Sequence, residues 1–486
     1  MTLARRWGRV TAATAGLVGV LVVFAPIGLT ALAWQGAIAL SLWSLVVVTR
    51  GGRHAPWLSM LLAGLALSFR PDLVLAIAAA HVVRWWLSGR SFVRWWLPLA
   101  GFVGGLLPTF VQVVQAGPAA FWRGTFTEPV FTLRGGRTLP RPPSWSRLDG
   151  ALQVIGEKPP PWWPFPSLAA PHQLFVWFWL LPIVSIVGVL LAARWWRRSH
   201  SPRHLTMLTI ATFGTGLLTQ ALQRPDSTHL LWGSVIAFPL SSCWLAEAWT
   251  QRRGRGSRAG RLVAVLSPLV VLVVLLPFYT ARTYTERVRQ SVGAGHGGLP
   301  PGLPVVRGDR TYRLGDVRAW KASQAAVDAL AARATPGERL LVGPVDLRQT
   351  MYSNVFFYFL FPELTPATRF IEMDPGLANT AGSGLDSDVA SADWLILDRL
   401  WSGWIEPNDS IVFGPDEPNV VVEQQFCLVG SYEHDLVRLY HKCAGGGAPG
   451  PYEGPYEPAF DYAVEVHVPV PPRSDGTYPP GSPAAP

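Results

Sequence analysis

VTAATAGLVGVLVVFAPIGLTALAWQGAIALSLWSLVVVT, residues 10–49, carries no charged side chain. A helix crosses a bilayer with roughly 20 apolar residues. A run this long therefore crosses twice or lies buried, and Pro26 with Gly28 divides it into arms at 10–24 and 29–48. Arg5, Arg6 and Arg9 precede the run, and Arg50 and Arg53 follow it. Arginine concentrates on the cytosolic side of short membrane loops, so the pattern predicts a hairpin with both ends in the cytosol. Residues 1–33 have the charge and apolar core of a signal peptide. The segment after them stays apolar, which predicts a retained anchor.

The rest of the first half repeats this pattern. Apolar stretches at 56–69, 73–87, 97–114, 174–193, 205–223, 230–249 and 262–280 bring the total to about nine passes. With the N-terminus inside, every short arginine-rich loop falls on one face, and three Arg-Trp-Trp triplets, at 84–86, 94–96 and 194–196, mark that boundary. Composition agrees: 49% of the 486 residues are hydrophobic and 15% charged, against about 25% charged in soluble domains. The net charge of +10 sits in loops between apolar spans and forms no basic face with stacking aromatics, which excludes a nucleic-acid partner.

Expected organisation follows. Residues 1–280 form an all-α membrane bundle, with an outer loop at 117–172 rich in Trp and Arg. Residues 281–304 are a Gly/Pro linker, 305–443 a small extracytoplasmic α/β domain, and 444–486 a disordered Pro/Gly-rich tail. Within the domain the spacing predicts a helix over 316–334 and strands over 339–342, 394–397, 420–427 and 436–441. The acidic run at 386–398 reads as solvated surface. Cys427 and Cys443 flank a hairpin pattern on the oxidising side, where a disulfide forms, and Cys243 reads as a packing residue.

Two turns share a tripeptide: Arg70-Pro71-Asp72 and Arg224-Pro225-Asp226. Short arms, at about 1.5 Å per residue, leave the first recessed below the outer surface. Ionisable groups at such depth are costly and mark function, and the guanidinium fork suits phosphate. A structural role, with Pro turning the chain and Arg pairing with Asp, is the competing reading. Around the second turn, QRPDSTH adds His229 and favours a binding site. The polar domain has no phosphate loop, metal-spaced His/Cys set or nucleophile elbow. No cofactor is identifiable, and a divalent metal is compatible but not indicated.

GLALSFRPDLVL (64–75) and QRPDSTHLLW (223–232) resemble the GT-C superfamily of glycosyltransferases, the group of protein O-mannosyltransferases, aminoarabinose transferases and family 39 glycosyltransferases, while PGERLLVGPVDLR (336–348) and ADWLILDRLW (392–401) resemble C-terminal domains attached to some bacterial members. The resemblance implies a polyprenyl-phosphate sugar donor and a cell-envelope glycan or protein acceptor at the outer face of the plasma membrane. It implies an acidic residue in the first outer loop as base, and basic groups on the departing lipid phosphate. Arg70 best matches the basic residue, while Arg224 is inferred from its setting. The first outer turn, residues 25–28, holds no Asp or Glu. The base then lies upstream of Met1, comes from elsewhere, or is missing. The expected site is Asp226 as catalytic base, with Arg70, Asp72, Arg224 and His229 binding substrate. Two alternatives remain: a non-catalytic membrane partner of polysaccharide assembly, and, ranked last, a transporter, which would want polar residues near mid-membrane, whereas Glu247 lies close to the cytosolic end and little else is buried.

Overall fold

The computed structural model describes residues 1–27, 33–89, 96–141, 170–251, 258–272, 302–350, 352–400, 408 and 412–443. The chain divides into two compact units. The first comprises Met1–Thr125, Pro140–Leu148 and Leu152–Gly295; the second comprises Phe126–Leu139, Asp149–Ala151 and His296–Pro486.

The first unit is helical. Its main elements are α1 (Arg9–Ile27), α2 (Ala33–Arg50), α3 (Ala55–Phe69), α4 (Val74–Leu87), α5 (Trp96–Gly105), α6 (Leu107–Ala116), α7 (Pro118–Trp122), and, after a short helix α8 (Leu133–Arg137) that belongs to the second unit, α9 (Ala170–Ser199), α10 (Pro202–Gly216), α11 (Leu218–Gln223), α12 (Ser227–Gln251) and α13 (Arg258–Val270). Among the described residues three helical stretches, Phe175–Ser199, Pro202–Gln223 and His229–Gln251, are long and apolar enough to cross a membrane. α5 and α6, bent by 49° at Leu106, make a fourth if they count as one span. α3 and α4 have 15 and 14 residues, short of a full crossing.

Packing follows the small residues. α1 lies on α12 and α13, α2 on α3, and α10 on α4, α9 and α12. At the α3–α5 crossing a Cβ on Gly101 would stand 2.2 Å from the Trp57 carbonyl oxygen, and one on Gly105 2.2 Å from that of Leu61. Only glycine permits that approach. At one end of the bundle Glu247, 2% exposed, accepts from the Trp7 indole at 3.1 Å and the Gln251 amide at 3.0 Å, and pairs with Arg203. This cluster ties the starts of α1 and α10 to the end of α12. A buried charge so fully partnered acts as an anchor.

In the second unit, β1 (Leu303–Arg307) and β2 (Arg310–Leu314) form a hairpin whose turn Gly308 enters at φ +58°. β1 begins inside the stretch expected to be a linker. A five-stranded sheet follows, ordered β4-β3-β5-β7-β6, from β3 (Arg339–Pro344), β4 (Thr365–Pro366), β5 (Trp394–Asp398), β6 (Phe426–Tyr432) and β7 (Val437–Lys442). β4, β3 and β5 run parallel; β7 and β6 are antiparallel to their neighbours. α14 (Val317–Ala331) and α15 (Phe356–Leu360) cover one face through Ala326, Leu330 and Phe357. α16 (Leu385–Ala390) and α17 (Glu417–Gln425) cover the other through Leu385, Val389 and Val422.

Two expectations are corrected here. Residues 417–425 are helical, so the strand expected at 420–427 starts only at Phe426. Pro418 sits in the first helical turn, where its missing N–H costs nothing, and this outweighs the β-branched run Val420–Val422. Asp398, expected on a solvated surface, is 3% exposed. β5 is central and covered on both faces, with every residue buried. Cys427 and Cys443 are joined by a disulfide, with their Cα atoms 5.2 Å apart. The segment Phe126–Leu139, from the loop expected at 117–172, packs on this unit: Arg137 donates to Asp374 at 2.6 Å, Arg369 pairs with Glu128, and Gly136 lies against the Pro375 carbonyl. The tail at 444–486, the linker up to residue 301 and residues 142–169 of that loop lie outside the described residues.

Candidate functional site

Each Arg-Pro-Asp turn is built by a helix that stops at the arginine. α3 ends on Arg70 and α11 on Arg224, both in non-helical conformations, because proline disfavours helical geometry in the residue before it. The aspartate then opens the next helix. Asp72 lies in a short 3-10 turn leading into α4. Asp226 precedes α12 and accepts the backbone N–H of His229 at 2.8 Å, the arrangement of an N-cap.

The two turns differ in burial. Arg70 grips Asp72 with a two-pronged bond, both arms 2.8 Å, and the side chains remain 31% and 39% exposed. Arg224 and Asp226 are buried, at 9% and 3% exposure. Arg224 Nε donates to Asp226 Oδ2 at 3.0 Å, and His229 Nδ1 lies 2.8 Å from the same oxygen. With Nδ1–H donating to the carboxylate, the other imidazole nitrogen is the acceptor. Asp226 thus joins Arg224 and His229 in one hydrogen-bonded network.

The turns lie at the same end of the bundle. His229 packs on Trp232 with ring centres 4.9 Å apart, and Trp232 stacks on Trp34 at 5.1 Å. Next to Trp34, Gly36 meets the ring of Phe69, the residue before Arg70. α10 and α4 also meet here, with a Cβ on Gly216 reaching 2.5 Å from Ala76. The sequence brought Arg70, Asp72, Arg224, Asp226 and His229 to attention, and all five sit at this end.

It missed three further groups. The indole nitrogens of Trp34 and Trp232 and the amide nitrogen of Gln220 are buried donors without an acceptor. Trp232 falls one helical turn after His229, and Gln220 one turn before Arg224, a spacing that puts them on the same side. Trp34 also lines an apolar cavity of about 560 Å³ between α1, α2, α10 and α12, with Ile38, Leu42, Val235 and Pro239 on its walls. Among the described residues no group of three or more His, Cys, Asp and Glu side chains could hold a metal ion. Compared with protein-family models, curated proteins and solved structures, the chain finds no match.

Proposed function

We propose that the first unit is a membrane glycosyltransferase of the GT-C kind, taking a sugar from a polyprenyl-phosphate donor at the outer face of the plasma membrane. One observation carries the reading: Trp34, whose buried indole N–H lacks an acceptor, lines an apolar cavity and stacks on Trp232, which packs on the half-buried His229 of the Arg224–Asp226–His229 network. Buried donors without partners are costly, and an anion supplies what they lack. The cavity falls within the range of ligand sites, and its walls suit a hydrocarbon chain.

In this mechanism an acceptor hydroxyl oxygen attacks the anomeric carbon of the bound sugar. Its proton passes to the free ring nitrogen of His229, held in place by Asp226. The bond from the anomeric carbon to the phosphate oxygen breaks, and the electron pair leaves with the lipid phosphate. Negative charge grows on that phosphate, where Arg224 and the indole and amide donors stabilise it. Arg70, more exposed, meets the headgroup on arrival. Asp226 thereby becomes a positioning residue. The reading includes about nine passes, an inward N-terminus and an outward second unit.

Sugar transfer from radiolabelled polyprenyl-phosphate donors in membranes tests this. Arg224→Ala and His229→Ala are each expected to lower transfer roughly 100-fold or more. Transfer undiminished in both variants rejects the assignment. The closed Arg224–Asp226–His229 network also favours a second reading, a non-catalytic partner of envelope polysaccharide assembly. That protein would retain the labelled lipid without transferring its sugar.

A further inference from the structure

In open α/β sheets ligands settle outside the carboxyl ends of parallel strands, where successive connections leave in opposite directions. The second unit has one such point. From β3 the chain passes over one face through α15 to β4, then over the other through α16 to β5, on the far side of β3. The crevice position therefore lies between the ends of β3 and β5. Asp346, Arg348 and Thr350 follow β3 there, and Asp398 ends β5.

The side chains at this point are not all satisfied. Asn354 donates to Asp398 Oδ1 at 2.7 Å, and the Leu400 backbone N–H donates to the same oxygen at 3.0 Å. Asp398 Oδ2 is buried with no partner. Thr350, 0% exposed, buries a hydroxyl with no partner on the loop after β3. We propose that the carboxyl ends of β3 and β5 form a binding site for a neutral sugar, with the Asp398 carboxyl accepting from a sugar hydroxyl.

Charge decides the ligand class. Arg348 is engaged by Asp346, with Nη2 to Oδ2 at 2.9 Å, and lies 3.7 Å from Asp416. Arg399 Nη2 is 3.2 Å from Asp435 Oδ2, and Arg438 holds the same carboxylate. The ion-pair partners of these cations are Asp346, Asp416 and Asp435, and Asp398 Oδ2 is an acceptor left open on a further acid. A phosphate would be repelled by the Asp398 carboxyl wherever that group is ionised. A sugar hydroxyl can donate to Oδ2, and a hydroxyl can also accept from a group such as that of Thr350. Burial pushes the Asp398 carboxyl up to about 7, in keeping with a site that holds no cation against it. The site lies in the second unit and stands independently of the transferase reading.

Ligand-observed saturation-transfer NMR tests it, on the full chain in a detergent without a sugar headgroup. The probes are methyl glycosides of mannose, glucose, galactose and N-acetylglucosamine, with inorganic phosphate as competitor. Saturable binding of at least one glycoside is expected, indifferent to phosphate. Asp398→Asn should weaken it about tenfold or more. Thr350→Val, close in shape, should weaken it less. Arg224→Ala should leave it unchanged, which separates this site from the transferase site. If no glycoside saturates, if phosphate displaces it, or if folded Thr350→Val and Asp398→Asn proteins bind as the parent does, the proposal is overturned.

Discussion

Asp226 and Asp398 are both buried aspartates, and their neighbours give them different chemistry. Asp226 is met by a guanidinium and an imidazole. Asp398 is met only by the neutral donors of Asn354 and Leu400, and burial raises its carboxyl to about 7. A carboxyl raised this way holds its proton more tightly when folded. Its contribution to stability is full below the unfolded value of roughly 3.9 and is lost as pH rises through the folded value. The amount is on the order of a few kcal/mol. Asp398→Asn should therefore flatten the dependence of the unfolding midpoint on pH between about 4 and 7. Relative to the parent, it should gain stability at the alkaline end. An unchanged slope would mean that Asp398 titrates as an ordinary surface acid. The sequence concealed this residue among Asp386, Asp388 and Asp393. The cue to its burial was the unbroken apolar run Trp394–Leu397 before it, which marks a strand covered on both faces. Arg224 and His229 were legible because a dense polar cluster interrupts apolar spans. Trp34 and Trp232 were not, since a tryptophan in a span reads as packing until its indole nitrogen is found without a partner.

The helices of the first unit were legible as apolar runs, and their closeness was not. Gly64, Gly101 and Gly105 look like ordinary small residues in the sequence, yet α3 and α5 meet backbone to backbone over them. Gly105→Ala would push a methyl into the Leu61 carbonyl. Overpacking of this kind costs about 1–3 kcal/mol, so the variant should unfold at lower temperature in detergent than a substitution at exposed Gly124, where no atom lies within 4 Å. In the second unit, β6 and β7 are tied by Cys427–Cys443 over a separation of 16 residues. A loop of that size contributes about 3 kcal/mol on chain-entropy grounds. Cys427→Ser should lower the unfolding midpoint of this unit, and a thiol reductant should reproduce the shift in the parent but not in the variant. The helix at 417–425 escaped the periodicity reading because three consecutive valines favour a strand locally. Tertiary packing decided otherwise, with Val422 facing the core and Asn419 donating to Asp346 at 2.9 Å and Asp416 at 2.9 Å.

Taken together, the first unit has two chemically different ends. One gathers the Arg-Pro-Asp turns; the other gathers Trp7, Arg203 and Glu247, beside the exposed Arg197 and Arg198. Such asymmetry is what the positive-inside bias produces, and it makes orientation testable without knowing how many passes there are. An inward N-terminus with an outward second unit requires an odd number of crossings. Three full-length spans satisfy that parity and so do nine, whereas a fourth span from α5 and α6 needs a further crossing elsewhere. Single cysteines at Asp72 and Thr219, in a background with Cys243 replaced by Ala and the Cys427–Cys443 pair retained, should react with a membrane-impermeant maleimide in intact cells. Cysteines at Arg197 and Arg198 should react only after permeabilisation, and one at exposed Ser387 should behave like Asp72. If positions 72 and 198 label from the same side, the two ends do not face opposite compartments, and the buried guanidinium of Arg224 cannot meet a lipid phosphate from the outer leaflet. If Ser387 alone labels with Arg198, the number of crossings is even. The sugar site then faces the cytosol, while the transferase site keeps its outward face.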